Sequence, residues 1–279
     1  MNYRHNFHAG NFADVLKHAV LALVVQALCK KDAPLALIDT HAGIGRYDLW
    51  TAAPNKTDEY KEGIGRIWDL AQVPAELSVY LSLVRKMNGQ HLRHYPGSPQ
   101  LMRQLMRPQD RLVLAELHPD DALTLKAQFH GDRQVAVHHM DGWQALKAFL
   151  PPKEKRGLAL IDPAFEEKGE YERLGKALLK ARERWPQGVL MAWHPIKGQD
   201  EQQALDDMLR SAEVPGILAV RHLVRTPSDP KLFNGSGLIL INPPYKLDEQ
   251  LSRLLPWLAE KLAQGEGVAA WLDWLAKDV

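Results

Sequence analysis

The sequence contains little of what marks secreted, membrane-bound or strongly charged proteins. Cys29 is the only cysteine among 279 residues, so the chain cannot form an internal disulfide, which fits a reducing cytoplasm. The net charge is +1, so no bulk field draws the protein to nucleic acid and any polyanion site must be a local patch. We identify no apolar run as long as a membrane span and no signal-peptide core. We therefore expect a cytoplasmic protein without membrane attachment.

Several catalytic motifs are also missing. The 12 histidines include no HExxH pair, and one cysteine supports no zinc motif, so we expect no metal site. Neither GxSxG nor a P-loop is present, which argues against the corresponding hydrolases. Gly43 and Gly45 do not continue into a GxGxxG fingerprint, which disfavours a dinucleotide cofactor.

Short apolar runs bounded by turn residues recur along the chain, as in the buried strands of a mostly parallel sheet. Helical patterns separate most of them, but the last two runs have no long helix between them and predict an antiparallel pair at one edge. This alternation predicts a Rossmann-like α/β fold with seven strands, the variant found in methyltransferases. The predicted strands are residues 35–39, 112–116, 135–140, 157–162, 189–193, 217–223 and 238–242.

The first two predicted strands lie too far apart for a simple crossover. From Asp39 to Glu116 the chain is more than twice as long as a βαβ unit of about 30 residues. Residues 57–68 and 74–87 have the apolar spacing of amphipathic helices. We predict a small helical insertion over residues 47–95. The predicted main domain comprises residues 1–46 and 96–279.

Polar residues and glycines follow the first three predicted strands. The loop containing Gly43 lets the backbone pass close to a ligand, and its amides can face a polar group. Glu116 ends the second strand, where a Rossmann-type site accepts two hydrogen bonds from a ribose diol. Asp141, followed by Gly142, ends the third strand, where it can meet an adenine amino group. Together they predict a cofactor that carries adenosine without a pyrophosphate.

The fourth predicted strand ends in Asp162, Pro163, Ala164 and Phe165, close to the Asp/Asn-Pro-Pro-Tyr/Phe tetrapeptide of aminomethyltransferases. The exocyclic nitrogen of adenine is a poor nucleophile because its lone pair is shared with the ring. A carboxylate and the next carbonyl can accept both N–H bonds and localise that lone pair, and Asp162 can take the departing proton. Phe165 would stack on a base that has left its helix.

A second tetrapeptide, Asn-Pro-Pro-Tyr at residues 242–245, is the better match letter for letter. It follows the seventh predicted strand, on the antiparallel edge and away from the predicted cofactor site. Strand order therefore favours Asp162 over Asn242 as the catalytic residue.

The amino-terminal segment combines basic and aromatic side chains. Tyr3, Arg4 and His5 precede a predicted helix that contains Lys17 and His18. Such a combination suits phosphate contact and base stacking, so we predict that Tyr3, Arg4 and His5 contact the substrate if it is a nucleic acid. A solvated arm is the alternative.

Long specific strings carry a family resemblance, among them YRHNFHAGNFADVLKH, DTHAGIGRY, RGLALIDP and INPPYKL. With these strings the chain closely resembles the RlmJ family, bacterial methyltransferases that modify N6 of one adenine in 23S ribosomal RNA. The resemblance implies a Rossmann-like fold with a helical insertion, and S-adenosylmethionine as cofactor. It implies that the cofactor is held by His18, His41, Ser98, Glu116, Asp141, Gly142 and Asp162, with Lys17 beside them.

The resemblance also implies that Asp162 orients the adenine amine and that Tyr3 touches the RNA. The family tetrapeptide is Asp-Pro-Pro-Tyr, whereas this chain has Ala164 and Phe165. The leading hypothesis is a monomeric, S-adenosylmethionine-dependent 23S ribosomal RNA adenine-N6 methyltransferase. Two alternatives stay open: a DNA adenine-N6 methyltransferase, and a cofactor- and RNA-binding protein whose catalysis is weakened by Ala164.

Overall fold

The computed structural model describes residues 8–51, 58–198 and 200–277. Eight strands form one sheet and two short strands form a separate ribbon. The strands are β1 (Ala36–Asp39), β2 (Arg46–Asp48), β3 (His94–Pro96), β4 (Arg111–Glu116), β5 (Val135–His139), β6 (Gly157–Ile161), β7 (Val189–Ile196), β8 (Ile217–Leu223), β9 (Gly235–Ile241) and β10 (Ala269–Ala276). The helices are α1 (Phe12–Cys29), α2 (Ala75–Lys86), α3 (Ser98–Leu105), α4 (Pro119–Gln128), α5 (Gly142–Phe149), α6 (Glu170–Arg184), α7 (Asp200–Ser211) and α8 (Leu247–Lys261).

The main sheet has the order β10-β8-β9-β7-β6-β1-β4-β5. The five strands from β7 to β5 in that order run parallel, and β9 runs antiparallel to both β7 and β8. The predicted Rossmann-like fold with an antiparallel pair near one edge is therefore confirmed. Apolar side chains fill both faces of the sheet, against α1 and α8 on one side and α6 and α7 on the other.

The predicted number of strands is wrong by one, because β10 extends the sheet beyond β8. Its sequence, AAWLDWLA, contains no β-branched residue, and its two tryptophans are its only strand-favouring residues. Pairing with β8 places this segment in the sheet, so tertiary contact adds to a weak local preference.

The insertion between β1 and β4 starts and ends in the β2–β3 ribbon and contains α2, close to the predicted helix at 74–87. The predicted helix at 57–68 is wrong over its described part. That part consists of two short 3-10 helices, Glu59–Glu62 and Ile64–Arg66. A Cβ on Gly63 would lie 2.1 Å from the Gly10 carbonyl oxygen, and Ile64 donates a hydrogen bond to that oxygen at 2.8 Å. Close docking on the segment before α1 thus interrupts the helix.

Helix α1 is longer and more apolar than expected, since the sequence analysis identified no apolar run as long as a membrane span. Its 18 residues have a mean hydropathy of 1.7, long and apolar enough to cross a membrane, but 78% of them are buried inside the protein. It packs against α2, α3, α8 and β9, as a core helix does. The Asn11 side chain caps it by accepting hydrogen bonds from the Ala13 and Asp14 amides, each at 3.0 Å. This start puts Asp14, Lys17 and His18 on one face of the helix.

Candidate active site

A cavity of about 650 Å³ opens at the carboxyl ends of β1, β4, β5 and β6. In an open α/β sheet this edge is where ligands bind. Every residue that the sequence analysis assigned to the cofactor lines the cavity, although they come from separate parts of the chain. These residues are Lys17, His18, His41, Gly43, Ser98, Glu116, Asp141, Gly142 and Asp162.

Two glycines shape the floor of this cavity. Gly43 has a φ of +60°, a left-handed conformation that glycine adopts without strain. A Cβ on Gly142 would lie 2.3 Å from the Thr40 carbonyl oxygen and 2.5 Å from His41 Nε2. Only glycine therefore lets the start of α5 approach the loop after β1.

The acidic residues after β4 and β5 are anchored by backbone amides. Glu116 accepts hydrogen bonds from the Gly43 amide at 2.8 Å and the His118 amide at 2.7 Å. Burial raises the pKa of Glu116 in spite of these bonds. Asp141 caps α5 by accepting a hydrogen bond from the Gln144 amide at 2.9 Å. Each carboxylate oxygen has a second lone pair, so both side chains can still accept hydrogen bonds from a ligand.

Beneath the cavity lies a buried carboxyl group that sequence analysis did not single out. Asp39, the last residue of β1, is fully buried and accepts hydrogen bonds from Ser98 Oγ at 2.7 Å and the His41 amide at 3.1 Å. Burial raises the pKa of Asp39 to about 7, although both hydrogen bonds oppose the shift. The available signal was an acid directly between a buried strand and a glycine loop. Asp39 holds Ser98 and the His41 backbone in place at the cavity wall.

His41 belongs to the loop after β1, and its side chain contacts the loop after β6. Its Nδ1 is 2.8 Å from Thr40 Oγ1 and 3.4 Å from the Asp162 amide nitrogen, and its ring meets the Trp143 ring edge-on. Burial lowers the pKa of His41 to about 4. The ring is therefore neutral near pH 7, and it joins the two loops without adding a positive charge.

Asp162 is paired with a lysine from the amino-terminal helix. Lys17 Nζ lies 2.5 Å from Asp162 Oδ2 and 2.9 Å from Asp14 Oδ1, and the Lys17 side chain is only 4% exposed. Burial by itself lowers the pKa of Lys17, but the charges of Asp14 and Asp162 outweigh it and raise the pKa overall. A permanently charged ammonium thus sits between two carboxylates. Sequence analysis missed Asp14, although it precedes Lys17 by one helical turn.

Phe165, the predicted base-stacking residue, belongs to a group of aromatic side chains. Its φ is +52°, and its ring does not line the cavity. Instead it packs against Tyr171 at 4.8 Å and Trp193 at 5.8 Å between ring centroids. Trp193 in turn contacts Phe233 and lies 6.0 Å from Lys17 Nζ. This aromatic group borders the Lys17–Asp162 pair, and sequence analysis missed it because its members are far apart in the chain.

The Asn-Pro-Pro-Tyr tetrapeptide lies at the opposite edge of the sheet. Ile241 pairs with Leu190, near the start of β7, so Asn242 is level with the amino ends of the parallel strands. Its side-chain nitrogen donates to the carbonyl oxygens of Pro186 at 2.7 Å and Gly188 at 2.9 Å. Asn242 thus closes the turn before β7 and is absent from the cavity lining.

Comparison with known proteins gives the same family as the sequence motifs. The profile of the family described as "Ribosomal RNA large subunit methyltransferase D, RlmJ" matches residues 32–276. Two proteins named "Ribosomal RNA large subunit methyltransferase J" align over the full length of both chains. The protein from Escherichia coli K12 is 42% identical over 280 residues, and the one from Haemophilus influenzae is 40% identical over 281 residues. The chain belongs to the RlmJ family.

A solved crystal structure of a protein from Legionella pneumophila is similar to this chain over nearly its whole length. It has a TM-score of 0.88 and 35% identity to this chain, and the alignment covers 95% of this chain and 98% of the other. Membership in the RlmJ family confirms the resemblance drawn from the motifs and makes the chain a member of a methyltransferase family. Within the described residues no group of three or more His, Cys, Asp or Glu side chains could hold a metal ion. Tyr3, Arg4 and His5, the predicted RNA contacts, lie outside the described residues.

Proposed function

We propose that this protein transfers a methyl group from S-adenosylmethionine to N6 of an adenine in 23S ribosomal RNA. The observation that carries the proposal is the position of Asp162, on the wall of a cavity at the carboxyl edge of the sheet, with Oδ2 bound by Lys17. The RlmJ relatives, named as large-subunit ribosomal RNA methyltransferases, support the choice of RNA.

The residues present fit S-adenosylmethionine. The cavity volume of about 650 Å³ suits a small-molecule cofactor. Glu116 and Asp141, each fixed by backbone amides, would accept hydrogen bonds from the ribose and the adenine amine. His18, His41 and Ser98 line the cavity as well and would surround the rest of the molecule. When bound, S-adenosylmethionine supplies an electrophilic methyl carbon on a sulfonium group.

The protein's own residues would then prepare the nucleophile. Lys17 holds Asp162 Oδ2, which leaves Oδ1 to accept a hydrogen bond from the adenine amine. The Pro163 carbonyl would accept the second one, and Pro163 has no N–H to compete. Both bonds localise the nitrogen lone pair, and Asp162 would accept the proton that the amine loses. Stacking of the flipped base on Phe165 stays a prediction, as do the RNA contacts of Tyr3, Arg4 and His5.

The test is methyl transfer from labelled S-adenosylmethionine to 23S ribosomal RNA from cells that lack the endogenous modification. We expect one labelled adenine with the wild-type protein and far less label with Asp162→Ala, which removes the acceptor. Duplex DNA as competitor separates the DNA alternative, because it would then carry the label. Absence of any labelled adenine at saturating cofactor would contradict the proposal, and tight cofactor binding without transfer would favour the catalytically weakened alternative.

We also propose that the protein acts as a monomer in the cytoplasm. A net charge of +1 and one partly buried cysteine are consistent with that setting. Size-exclusion chromatography with light scattering should give a mass near 31.5 kDa; twice that mass would contradict the monomer.

A further inference from the structure

A buried polar chain runs from the insertion to the cavity. Tyr80 on α2 and Tyr95 on β3 are both fully buried, and their hydroxyl oxygens lie 2.9 Å apart. The Tyr95 hydroxyl oxygen is 2.8 Å from His18 Nδ1. His18 Nε2 faces Asp14 Oδ1 at 4.0 Å, within ion-pair range but longer than a hydrogen bond. The insertion is thus linked to the helix that carries Lys17.

Two partners act on the tautomer of His18. Nε2 faces the Asp14 carboxylate at 4.0 Å, where a lone pair would be repelled, but this distance is too long for a hydrogen bond. The Tyr95 hydroxyl, 2.8 Å from Nδ1, donates its proton to the lone pair of Nδ1. Both contacts favour the tautomer with its proton on Nε2, and the contact with Tyr95 is the shorter one. Burial raises the pKa of both Tyr80 and Tyr95, so both phenols stay neutral and can donate.

Asp14 in turn determines where Lys17 lies. Asp14 Oδ2 accepts a hydrogen bond from the Gly10 amide at 2.9 Å, and Oδ1 binds Lys17 Nζ at 2.9 Å. Both carboxylate oxygens are therefore fixed, and Lys17 is directed at Asp162 Oδ2. Without Asp14, the ammonium of Lys17 would lose one of its two carboxylate partners. The ammonium could then move, and it would hold Asp162 less firmly in one orientation.

We propose that Tyr95 and Tyr80 of the insertion, together with Asp14, are positioning residues for the Lys17–Asp162 pair. The inference rests on the proposed function, in which Asp162 binds the target amine. The insertion then influences catalysis through buried contacts. Its tyrosines fix the His18 tautomer, and together with Asp14 they keep Lys17 in the position that holds the Asp162 carboxylate in one orientation.

The first test is Tyr95→Phe, which removes only the hydroxyl group. We expect kcat to fall about tenfold, since losing about 1.4 kcal/mol of transition-state stabilisation costs a factor of 10, whereas KM for RNA should hardly change. Nitrogen-15 NMR of the His18 ring, assigned with His18→Asn, should show one Nε2-protonated tautomer in the wild type and a mixture in the variant. Tyr80→Phe should show the same effects at smaller size.

Trp185→Phe is the control. The Trp185 side chain is buried, and its Nε1 donates one hydrogen bond to the Lys155 carbonyl oxygen at 2.8 Å, at the amino ends of the parallel strands and away from the cavity. Its replacement should lower thermal stability but leave kcat and the His18 tautomer unchanged. An equal loss of kcat in Trp185→Phe and Tyr95→Phe would overturn the proposal, as would a wild-type kcat or an unchanged tautomer in Tyr95→Phe.

The second test uses pH and the Asp14→Asn variant. The ammonium of Lys17 contacts the carboxylates of Asp14 and Asp162 and lies near the Trp193 ring. The charge of Lys17 also lowers the pKa of two further buried groups, Asp39 and Tyr80. Removing one charge lowers the raised pKa of Lys17, so Asp14→Asn should lose activity at lower pH on the alkaline side than the wild type. Identical alkaline limbs would contradict the proposal.

Failure of this inference can be told from failure of the proposed function. A wild-type protein that methylates no RNA would overturn the function, whereas the His18 tautomer is measured without activity. If Asp14→Asn does not fold, as judged by thermal unfolding, Tyr95→Phe and its control still decide the outcome.

Discussion

Similar tetrapeptides lie at the two opposite ends of the parallel strands, here called the carboxyl edge and the amino edge of the main sheet, and their surroundings differ. At the carboxyl edge, Asp162 is paired with buried Lys17 beside a cavity, and buried groups around it, such as Asp39 and His41, have shifted pKa values. At the other edge, Asn242 uses its amide to bind two carbonyl oxygens of a turn, and Tyr245 is 89% exposed. The letters of a motif therefore do not define a site; the edge of the sheet on which they lie does.

The two side chains differ in whether a hydrogen-bonding group remains for a ligand. The side-chain nitrogen of Asn242 donates to the Pro186 and Gly188 carbonyl oxygens, so its role is to complete the backbone hydrogen bonding of a turn. Asp162 binds Lys17 through one oxygen and keeps the other for a ligand. Five predictions test this comparison, from the largest expected effect to the smallest.

Replacing the carboxylate at the carboxyl edge should have the largest effect. Asp162→Ala removes the acceptor for the amine and for its proton, so kcat should fall by about 10²–10⁴-fold, the range for general acid–base groups. Single-turnover methyl transfer to 23S ribosomal RNA measures it. Asn242→Ala is the control, and its kcat should stay within about twofold of the wild type. Full activity in Asp162→Ala with none in Asn242→Ala would reverse the assignment of the two edges.

Cofactor binding should depend on Glu116 and not on acids at the other edge. Glu116→Gln loses the charge that holds the Gly43 amide and would hold the ribose, so Kd for S-adenosylmethionine should rise about 10- to 100-fold, as for a hydrogen bond to a charged group. Isothermal titration calorimetry measures it. Glu154→Gln is the control, because Glu154 pairs with Arg111 at the start of β4; its Kd should stay unchanged, and equal losses would show that Glu116 has no special role.

The buried carboxyl group of Asp39 should make stability depend on pH. Its pKa is about 7 in the folded protein against an ordinary value of 3.8, so the folded state binds a proton that the unfolded state releases between these values. The contribution of Asp39 to the free energy of unfolding should therefore fall by a few kcal/mol as pH rises from about 4 to 7, and level off above. The buried histidines His41, His194 and His222 contribute with the opposite sign in this range, so the measurement is the difference in the free energy of unfolding between the wild type and Asp39→Asn. Urea titrations should show that this difference falls as pH rises; a difference that does not change with pH would contradict it.

At the opposite edge the expected loss is one of stability. Asn242→Ala removes hydrogen bonds to two backbone carbonyls and places alanine at a φ of +55°, so the free energy of unfolding should fall by about 1–3 kcal/mol. Urea unfolding measures it, and the activity of the folded fraction should be normal. Asn242→Gly separates the causes, because glycine loses the hydrogen bonds but tolerates the backbone conformation.

The smallest effect should come from making the two tetrapeptides more alike. Ala164→Pro restores the second proline at the carboxyl edge and should change kcat by no more than about threefold, because the catalytic acceptor is untouched; a rigid loop adds at most about 1 kcal/mol to stability. Pro244→Ala is the matching change at the other edge and should leave kcat unchanged. A large gain of activity in Ala164→Pro would mean that Ala164 limits catalysis in this chain.

Sequence analysis predicted most of the fold because buried parallel strands and amphipathic helices leave local patterns. It failed where distant contacts override those patterns. β10 has little strand propensity and forms by pairing with β8, and docking on Gly10 breaks the predicted helix at 57–68. The predicted glycine and acidic residues meet at one cavity because they directly follow strands whose carboxyl ends lie side by side, and their binding of the cofactor stays a prediction. Phe165 was named from its motif, and only the structure shows that its ring packs against Tyr171 and Trp193.

The sequence alone determines where most strands lie along the chain and which acids follow them, because both depend on residues that are neighbours in the chain. Only the tertiary structure decides that Lys17 meets Asp162, 145 positions away, and that the insertion reaches His18 through two tyrosines. Such pairings depend on how α1 and the insertion pack onto the sheet, and patterns of neighbouring residues do not predict that packing. The chemistry of Asp162 therefore depends on a side chain from α1, a helix that is distant from Asp162 in the sequence.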